Sequence, residues 1–401
     1  MMSLINNAVV TINGGSSGIK FALYEVEVSE SLKPVFYGEM EFIGPRANKI
    51  NFTENVTKKK NSVSMEASDP GDAIHLLMDW LVKQEGFNAV TAIGHRVVHG
   101  MKYTEPQLIT PELVDALRSI CEYDPEHLGT IKLIETFALR FPAIQQVACF
   151  DTSFHTSMPA VAKILPIPRR FGAKGIHRYG FHGLSYAYLM EQLEQIAGRE
   201  TAQGKIILAH LGNGASLAAV KAGKSIDTSM GFTPTSGLPM STRTGDLDPG
   251  VASYIMRSEN LSPEQFSRMV NHESGLFGIS GTSSDMRELL KSESTDSRAA
   301  EAVELFCYQT KKWIGSFAAA LGGLDTLVFS GGIGEHSPEI RSRICAGLSF
   351  LGIELDETKN INNDAIISAG GTKVCIRVIH TNEEFMISKL TCKVLNFIVG
   401  K

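Results

Sequence analysis

Polar residues punctuate this 401-residue chain where apolar runs end and glycine turns begin: Lys20, Arg96, Asp151, His182, Arg243 and Glu383. In-line displacement at phosphorus spreads charge over the equatorial oxygens, so it calls for planar bidentate donors such as arginine, a Mg2+ held by carboxylates, and little covalent help. These residue types supply that inventory. Each also has a structural alternative: arginines are usually solvated or paired, a lone histidine is more often a satisfied structural one, and Asp151 could cap the turn after its strand. No H-E-x-x-H or C-x-x-C pair occurs, which makes a hard, oxygen-bound Mg2+ carried by a nucleotide the expected metal. A Walker A loop is absent, and the G-G-I-G run matches a dinucleotide fingerprint only loosely, because Ser337 stands where glycine is needed.

Such side chains need strands that end in the right places. Residues 205–220 read as two apolar strands folded about Gly212, Asn213 and Gly214, and residues 8–12 run into N-G-G-S-S-G before a second apolar run at 19–24. An Asn-Gly pair between such runs signals a hairpin, and a glycine-rich turn lets backbone N–H groups converge on an anion. Either turn alone could be an ordinary surface turn. The same grammar recurring about half a chain apart points to a duplicated fold holding one polyanion between two phosphate-binding hairpins.

The remaining chain is read as strands at 34–43, 90–98, 145–150, 325–329 and 373–380, with an edge hairpin or exposed loop at 48–68. Helices are expected at 71–86, from the Thr110-Pro111 start, and at 126–141, 184–197, 248–258, 262–272 with a capping box, 298–321 and 383–397. The strand at 145–150 delivers Asp151 to its C-terminal end, where ligands sit in open α/β sheets. Residues 225–249 lack apolar periodicity and are expected to be a long functional connection, and 281–287 a polar turn. The turn at 330–336 leads into a helix near Pro338, a place for a nucleotide. Domains are expected at 1–151, completed by the C-terminal helix 383–401, and at 152–382.

Composition sets the class. A hydrophobic fraction of 43% with 20% charged residues is ordinary for a globular chain, and 38 Lys and Arg against 43 Asp and Glu give a net charge of −5. That balance argues against nucleic-acid or membrane binding through the whole-molecule field, so any anion must be captured by local donors. The 6 cysteines stand singly and read as buried free thiols. Neither a leader in the opening residues nor a membrane-length apolar run is recognisable, and the expected location is the cytoplasm.

In order along the chain stand N-G-G-S-S-G-I-K, G-H-R-V-V-H-G, F-D-T-S-F-H, R-Y-G-F-H-G, H-L-G-N-G-A-S, M-G-F-T-P, S-T-R-T-G-D-L-D-P, S-S-D-M-R, G-G-I-G-E-H-S and T-N-E-E. Through these signatures, over nearly its whole length, the chain resembles the acetate kinases, short-chain fatty acid kinases of the duplicated actin-like (ribonuclease H-like) α/β fold with a nucleotide cleft between two domains. The resemblance implies reversible transfer of phosphate from ATP to acetate, giving acetyl phosphate and ADP, in a homodimer. It implies that Asn13 and Glu383 serve Mg2+, and that Lys20 and the turn His210, Leu211, Gly212, Asn213 and Gly214 meet the nucleotide phosphates. Asp285, Met286 and Arg287 with Gly332, Ile333, Gly334, Glu335 and His336 would hold adenosine. Arg96 and Arg243 would bind the carboxylate and the phosphoryl group, His182 would stabilise the transition state, and Val98, Phe181 and Pro234 would line the acyl pocket. Asp151 would be the essential acidic residue, read as a metal-organising carboxylate in preference to a proton acceptor.

The chain departs from the family pattern in three places. Gly18 replaces a serine, His336 replaces the asparagine of the adenine turn, and Tyr123-Asp124-Pro125 replaces His-Asn-Pro. His127, four residues beyond Tyr123, is expected to supply the lost positive or donor contact, with the Tyr123 hydroxyl as the alternative. Propionate or butyrate as acceptor is the nearest rival reading, and a non-catalytic sugar or nucleotide sensor on the same fold is a rival of another class.

Overall fold

The computed structural model describes residues 7–15, 18–27, 31–42, 47–55, 57–66, 70–122 and 127–397. Ser16 and Ser17 of the first glycine turn, and Tyr123 with its neighbours to Glu126, lie outside the described residues. The chain divides into two compact units, Met1–Ser153 with Asn382–Lys401, and Phe154–Thr381.

The first unit holds β1 (Ala8–Gly14), β2 (Gly18–Val26), β3 (Leu32–Phe42), β4 (Ala47–Glu54), β5 (Lys60–Glu66), β6 (Val90–Val97), β7 (Gln107–Leu108) and β8 (Gln145–Phe150) in one sheet of order β5-β4-β3-β2-β1-β6-β8-β7. Strands β1 to β5 form an antiparallel meander, and β6 and β8 run parallel to β1. β1 is buried on both faces, as an interior strand covered on each side requires. Ile12, Phe21, Leu77, Trp80 and Phe137 form the core on one face, drawn from the sheet and the helices Pro70–Val82 and His127–Arg140. The helix Glu383–Val394 seals the other, where Cys392 packs with Val9 and Ala92.

The second unit repeats this plan. β9 (Lys205–Leu211), β10 (Ala215–Lys221), β11 (Lys224–Thr228), β12 (Thr326–Ser330) and β13 (Cys375–Val378) follow the order β11-β10-β9-β12-β13. The first three are antiparallel, and β12 and β13 run parallel to β9. This matches β3-β2-β1-β6-β8 strand for strand, the duplication that the two glycine hairpins implied. Helix Gly183–Ala202 covers Ile206, Leu208 and Val328 on one face, and helix Ser297–Leu321 packs on β9 and β10.

Local signals placed many boundaries. Thr110 accepts a hydrogen bond from the Leu113 N–H ahead of Pro111, and Ser262 and Gln265 form the expected capping box. Three expectations change. Residues 225–249 are not irregular throughout, because their start belongs to β11, a strand with one large apolar side chain that exists through its pairing with β10. The segment 281–287 is not only a turn, since Asp285 caps a helix at Met286–Ser292. The glycine run after β12 is itself a short helix, Gly331–His336, preceding Pro338–Cys345. No described helix is long and apolar enough to cross a membrane.

Gly18 opens β2 where it lies against β3, and a Cβ placed there would sit 2.3 Å from the Met40 carbonyl oxygen. The missing hydroxyl at this position is therefore a steric matter: β2 approaches β3 too closely for a side chain. Gly18→Ser should force the strands apart and cost about 1–3 kcal/mol, the usual penalty of overpacking, read as a lower urea midpoint. An unchanged midpoint would mean that the strand pair relaxes freely.

Candidate functional site

In the first unit, polar side chains gather at the C-terminal ends of β1, β6 and β8. The Arg96 guanidinium donates from Nε (2.9 Å) and Nη2 (2.6 Å) to Asp151 Oδ2, and from Nη1 to the Gly14 carbonyl at 3.3 Å. Asp151 is 0% exposed. Burial opposes the guanidinium charge, but Asp151 and then Glu383 outweigh it and hold Arg96 above its ordinary range. Arg96 is thus a fixed cation whose orientation is set by a carboxylate and a strand end.

Asn13 lies beside this pair. Its amide nitrogen donates to Glu383 Oε2 (2.9 Å) and Glu384 Oε1 (3.1 Å). Asn382 caps the helix that begins at Glu383 by accepting from the Phe385 N–H at 2.8 Å, which sets both glutamates in its first turn. Lys20 is the cross-strand partner of Asn13. Burial works against its charge, yet Glu384, Glu383 and Glu39 together raise its pKa. Glu384 is raised in turn, by burial and by the adjacent Glu383 acting against the pull of Lys20. As the side chains stand, the Asn13 amide nitrogen ties the two carboxylates together, and glutamate oxygens are donors of the hard kind.

In the second unit, His182 adopts φ 58°, ψ 25°, the left-handed region that non-glycine residues seldom occupy, at the start of helix Gly183–Ala202. Its Nδ1 lies 2.8 Å from Ser216 Oγ, which is 2.5 Å from the Tyr186 hydroxyl, and its ring stacks on His210 at 4.3 Å. A Cβ on Gly214 would meet His182 Nε2 at 3.0 Å and Arg243 Nη1 at 3.6 Å. An imidazole nitrogen and a guanidinium thus converge on the bare backbone of the hairpin turn. Arg243 donates to the Pro234 carbonyl at 3.2 Å, and Ser241 fastens the turn through its N–H to the Asn213 carbonyl at 3.2 Å.

The turn after β12 has a different anchor. Buried Glu335 accepts at Oε1 from Ser330 Oγ (3.1 Å), Gly331 N–H (2.9 Å) and Thr381 N–H (3.0 Å), and its Oε2 lies 2.7 Å from His380 Nδ1. Burial alone would favour the protonated acid, but His380 and the backbone donors prevail and lower its pKa. Behind the turn, Arg341 is 0% exposed. It donates to the carbonyls of Gly334 (2.8 Å), Glu335 (3.0 Å) and Asn360 (2.8 Å) and to the Asn360 and Asn363 side chains.

The expected residues therefore fall into separate sets. Asn13, Lys20, Arg96, Asp151 and Glu383 come together in the first unit, and Val98 follows β6 there. His182, His210, Gly214, Arg243 and Pro234 come together in the second, where the Phe181 carbonyl takes a bond from His155 Nε2 at 3.0 Å. Asp285 and Arg287 pair with each other, and among the described residues no hydrogen bond joins them to the Gly332–His336 turn. His127 is 1% exposed and neither ring nitrogen has a partner among the described residues. Burial lowers its pKa to about 4, so of the positive or donor contact expected from it only the donor is compatible. Sequence reasoning passed over Glu384, Thr381 and Ser216, although they lie in the T-N-E-E and H-L-G-N-G-A-S runs, and over Tyr186, His380 and Arg341, whose sequence contexts carry no signal.

Comparison with known proteins places these sets in context. The Acetokinase family model matches residues 8–389. An acetate kinase of Thermoanaerobacterium thermosaccharolyticum is 43% identical over 399 residues, covering 96% of this chain and 98% of that protein. One of Rhodopseudomonas palustris is 40% identical over 390 residues, with 96% and 98% covered. Among solved structures, a propionate kinase from Francisella tularensis superposes with a TM-score of 0.88 at 36% identity, covering 97% of this chain and 100% of that one. The acetate kinase of Porphyromonas gingivalis gives 0.83 at 34% identity with the same coverage, 97% and 100%.

Arg341→Met removes a buried donor from several carbonyls, each of which costs about 1–3 kcal/mol when left unpaired. The chain has 2 tryptophans, Trp80 in the first unit and Trp313 in the second. In a Trp80→Phe background, Trp313 fluorescence should report a clearly lower unfolding midpoint for Arg341→Met, with Arg341→Lys recovering little because it lacks the planar fork. Full recovery by lysine would show that charge alone matters.

Proposed function

The chain belongs to the Acetokinase family, and from that premise we propose that it transfers the γ-phosphoryl group of ATP reversibly to acetate, giving acetyl phosphate and ADP by direct in-line attack. The observation that carries this reading is the convergence of His182 Nε2 and Arg243 Nη1 on the bare Gly214 turn. An acceptor carboxylate has a reference pKa near ~4 and is already ionised at neutral pH, so no general base is needed. One of its oxygens forms the new bond to phosphorus while the bond from phosphorus to the β–γ bridging oxygen breaks, and ADP leaves with that electron pair.

Arg243 and His182 meet the charge on the equatorial oxygens of the moving group. Ser216, itself bonded to Tyr186, engages His182 Nδ1 and holds the ring with Nε2 facing the turn, where it can meet the equatorial oxygens. Arg96 binds the acyl carboxylate, and Asp151 serves it by orienting its guanidinium fork rather than by taking a proton. Glu383 and Asn13, with Glu384 beside them, would hold Mg2+, which neutralises phosphate charge when bound. Lys20 and residues 210–214 meet the nucleotide phosphates, and Asp285, Met286, Arg287 and Gly332–His336 take the adenosine. Val98, Phe181 and Pro234 contact the acyl chain. One methylene in an apolar pocket is worth only ~1–3 kcal/mol, so slower turnover of propionate accompanies that of acetate. His127 is a neutral donor to the phosphoryl group, and the working enzyme is a cytoplasmic homodimer.

Hydroxylamine trapping with ATP, Mg2+ and each short acid tests the reaction. Acetyl hydroxamate should exceed a protein-free control, with less from propionate; none from any acid would overturn the kinase reading and favour a non-catalytic sensor. Arg243→Ala should lose on the order of 10²- to 10³-fold in kcat with near-normal ATP binding, as loss of a donor used in the transition state does. A variant whose only defect was a raised KM for ATP would remove Arg243 from that role.

A further inference from the structure

Glu335, His336 and His380 each offer one ligand atom, and these atoms all lie within 4.8 Å of one another. His380 Nδ1 is 2.7 Å from Glu335 Oε2 and His336 Nε2 is 3.9 Å from the same oxygen. A tetrahedral ion with bonds near 2.0–2.1 Å holds its ligands about 3.3 Å apart, a value that the two separations bracket. We propose that this cluster is a second metal site, one that takes a borderline transition ion of the Zn2+, Co2+ or Ni2+ class and is distinct from the hard oxygen set at Asn13, Glu383 and Glu384.

The ligands are unequally prepared. Glu335 is already oriented, because its Oε1 is fixed by Ser330 Oγ, Gly331 N–H and Thr381 N–H while Oε2 faces the two rings. Hydrogen-bonded carboxylates of this kind are what an outer shell supplies to a metal ligand. The histidine side chains are 69% exposed at His336 and 74% at His380, and their rings lie 5.8 Å apart at 39°. His336 Nε2, at 3.9 Å from Glu335 Oε2, is the ligand that must draw in to share an ion. Two imidazoles and one carboxylate select a borderline ion over Mg2+, and their exposure leaves the remaining positions to water. Bound metal would tie the turn after β12 to the segment after β13.

The test uses the full chain dialysed against a chelator. Titration with Co2+ should develop the visible bands of a low-coordinate nitrogen and oxygen site without thiolate charge transfer, and Zn2+ should bind calorimetrically at one ion per chain. His336→Asn and His380→Asn should each weaken Zn2+ binding tenfold or more, and millimolar Mg2+ should not compete. His336 is exposed and should be replaced without a change in melting midpoint, whereas His380→Asn also loses the hydrogen bond to Glu335, so its binding is measured below its own melting transition. Binding equal to wild type in both variants, a thiolate band, or no Zn2+ uptake would overturn the site.

Discussion

A strand that stops inside a protein leaves N–H and C=O groups that its ladder no longer pairs, and each has to be satisfied by something else. In both units the central strands are buried on both faces and end at one edge of their sheet. Side chains take over where the ladder stops. Arg96 bonds the Gly14 carbonyl at the end of β1, Glu335 takes the Gly331 N–H at the end of β12, and Arg341 takes the carbonyls of the turn beyond it. Two of these groups, Arg96 and Glu335, are also candidate site residues, so scaffold and candidate chemistry overlap there.

Electrostatics follows from that arrangement. Charges at a strand edge are partly desolvated, so each needs a counterpart built into the fold. Arg96 has Asp151, Lys20 has the two glutamates, and Glu335 has His380 with backbone donors. Arg341 is the exception among these, a buried cation surrounded by neutral oxygens, with its pKa drawn down to about 10 by burial. It is held by carbonyl and carboxamide dipoles, which fit the fork geometry of arginine and no other side chain.

The duplicated strand order was legible because it is written in local terms: an apolar run, a glycine turn with Asn, another apolar run, twice. The helix starts at Thr110 and Ser262 were legible for the same reason, since capping depends on residues within one turn. β11 was not, because a five-residue strand with one large apolar side chain has no periodicity of its own and forms only when β10 offers an edge. The short helix Gly331–His336 was hidden too, since its glycines read as a loop.

By itself the sequence determined the class of fold, the family and the identity of most polar residues that gather at the strand ends, because these rest on residue types at fixed spacings along one segment. Only the tertiary structure decided which of them touch. Asp151 is bound to Arg96 across two parallel strands, Glu384 joins Glu383 at Asn13 from the far end of the chain, and His380 meets Glu335 from a segment 45 residues on. Gly18 changes meaning in the same way, from a lost hydroxyl to a close strand contact. Each of these pairings depends on strand register and helix seating set by the whole core, and no local pattern of residues encodes a distance between segments remote in the chain.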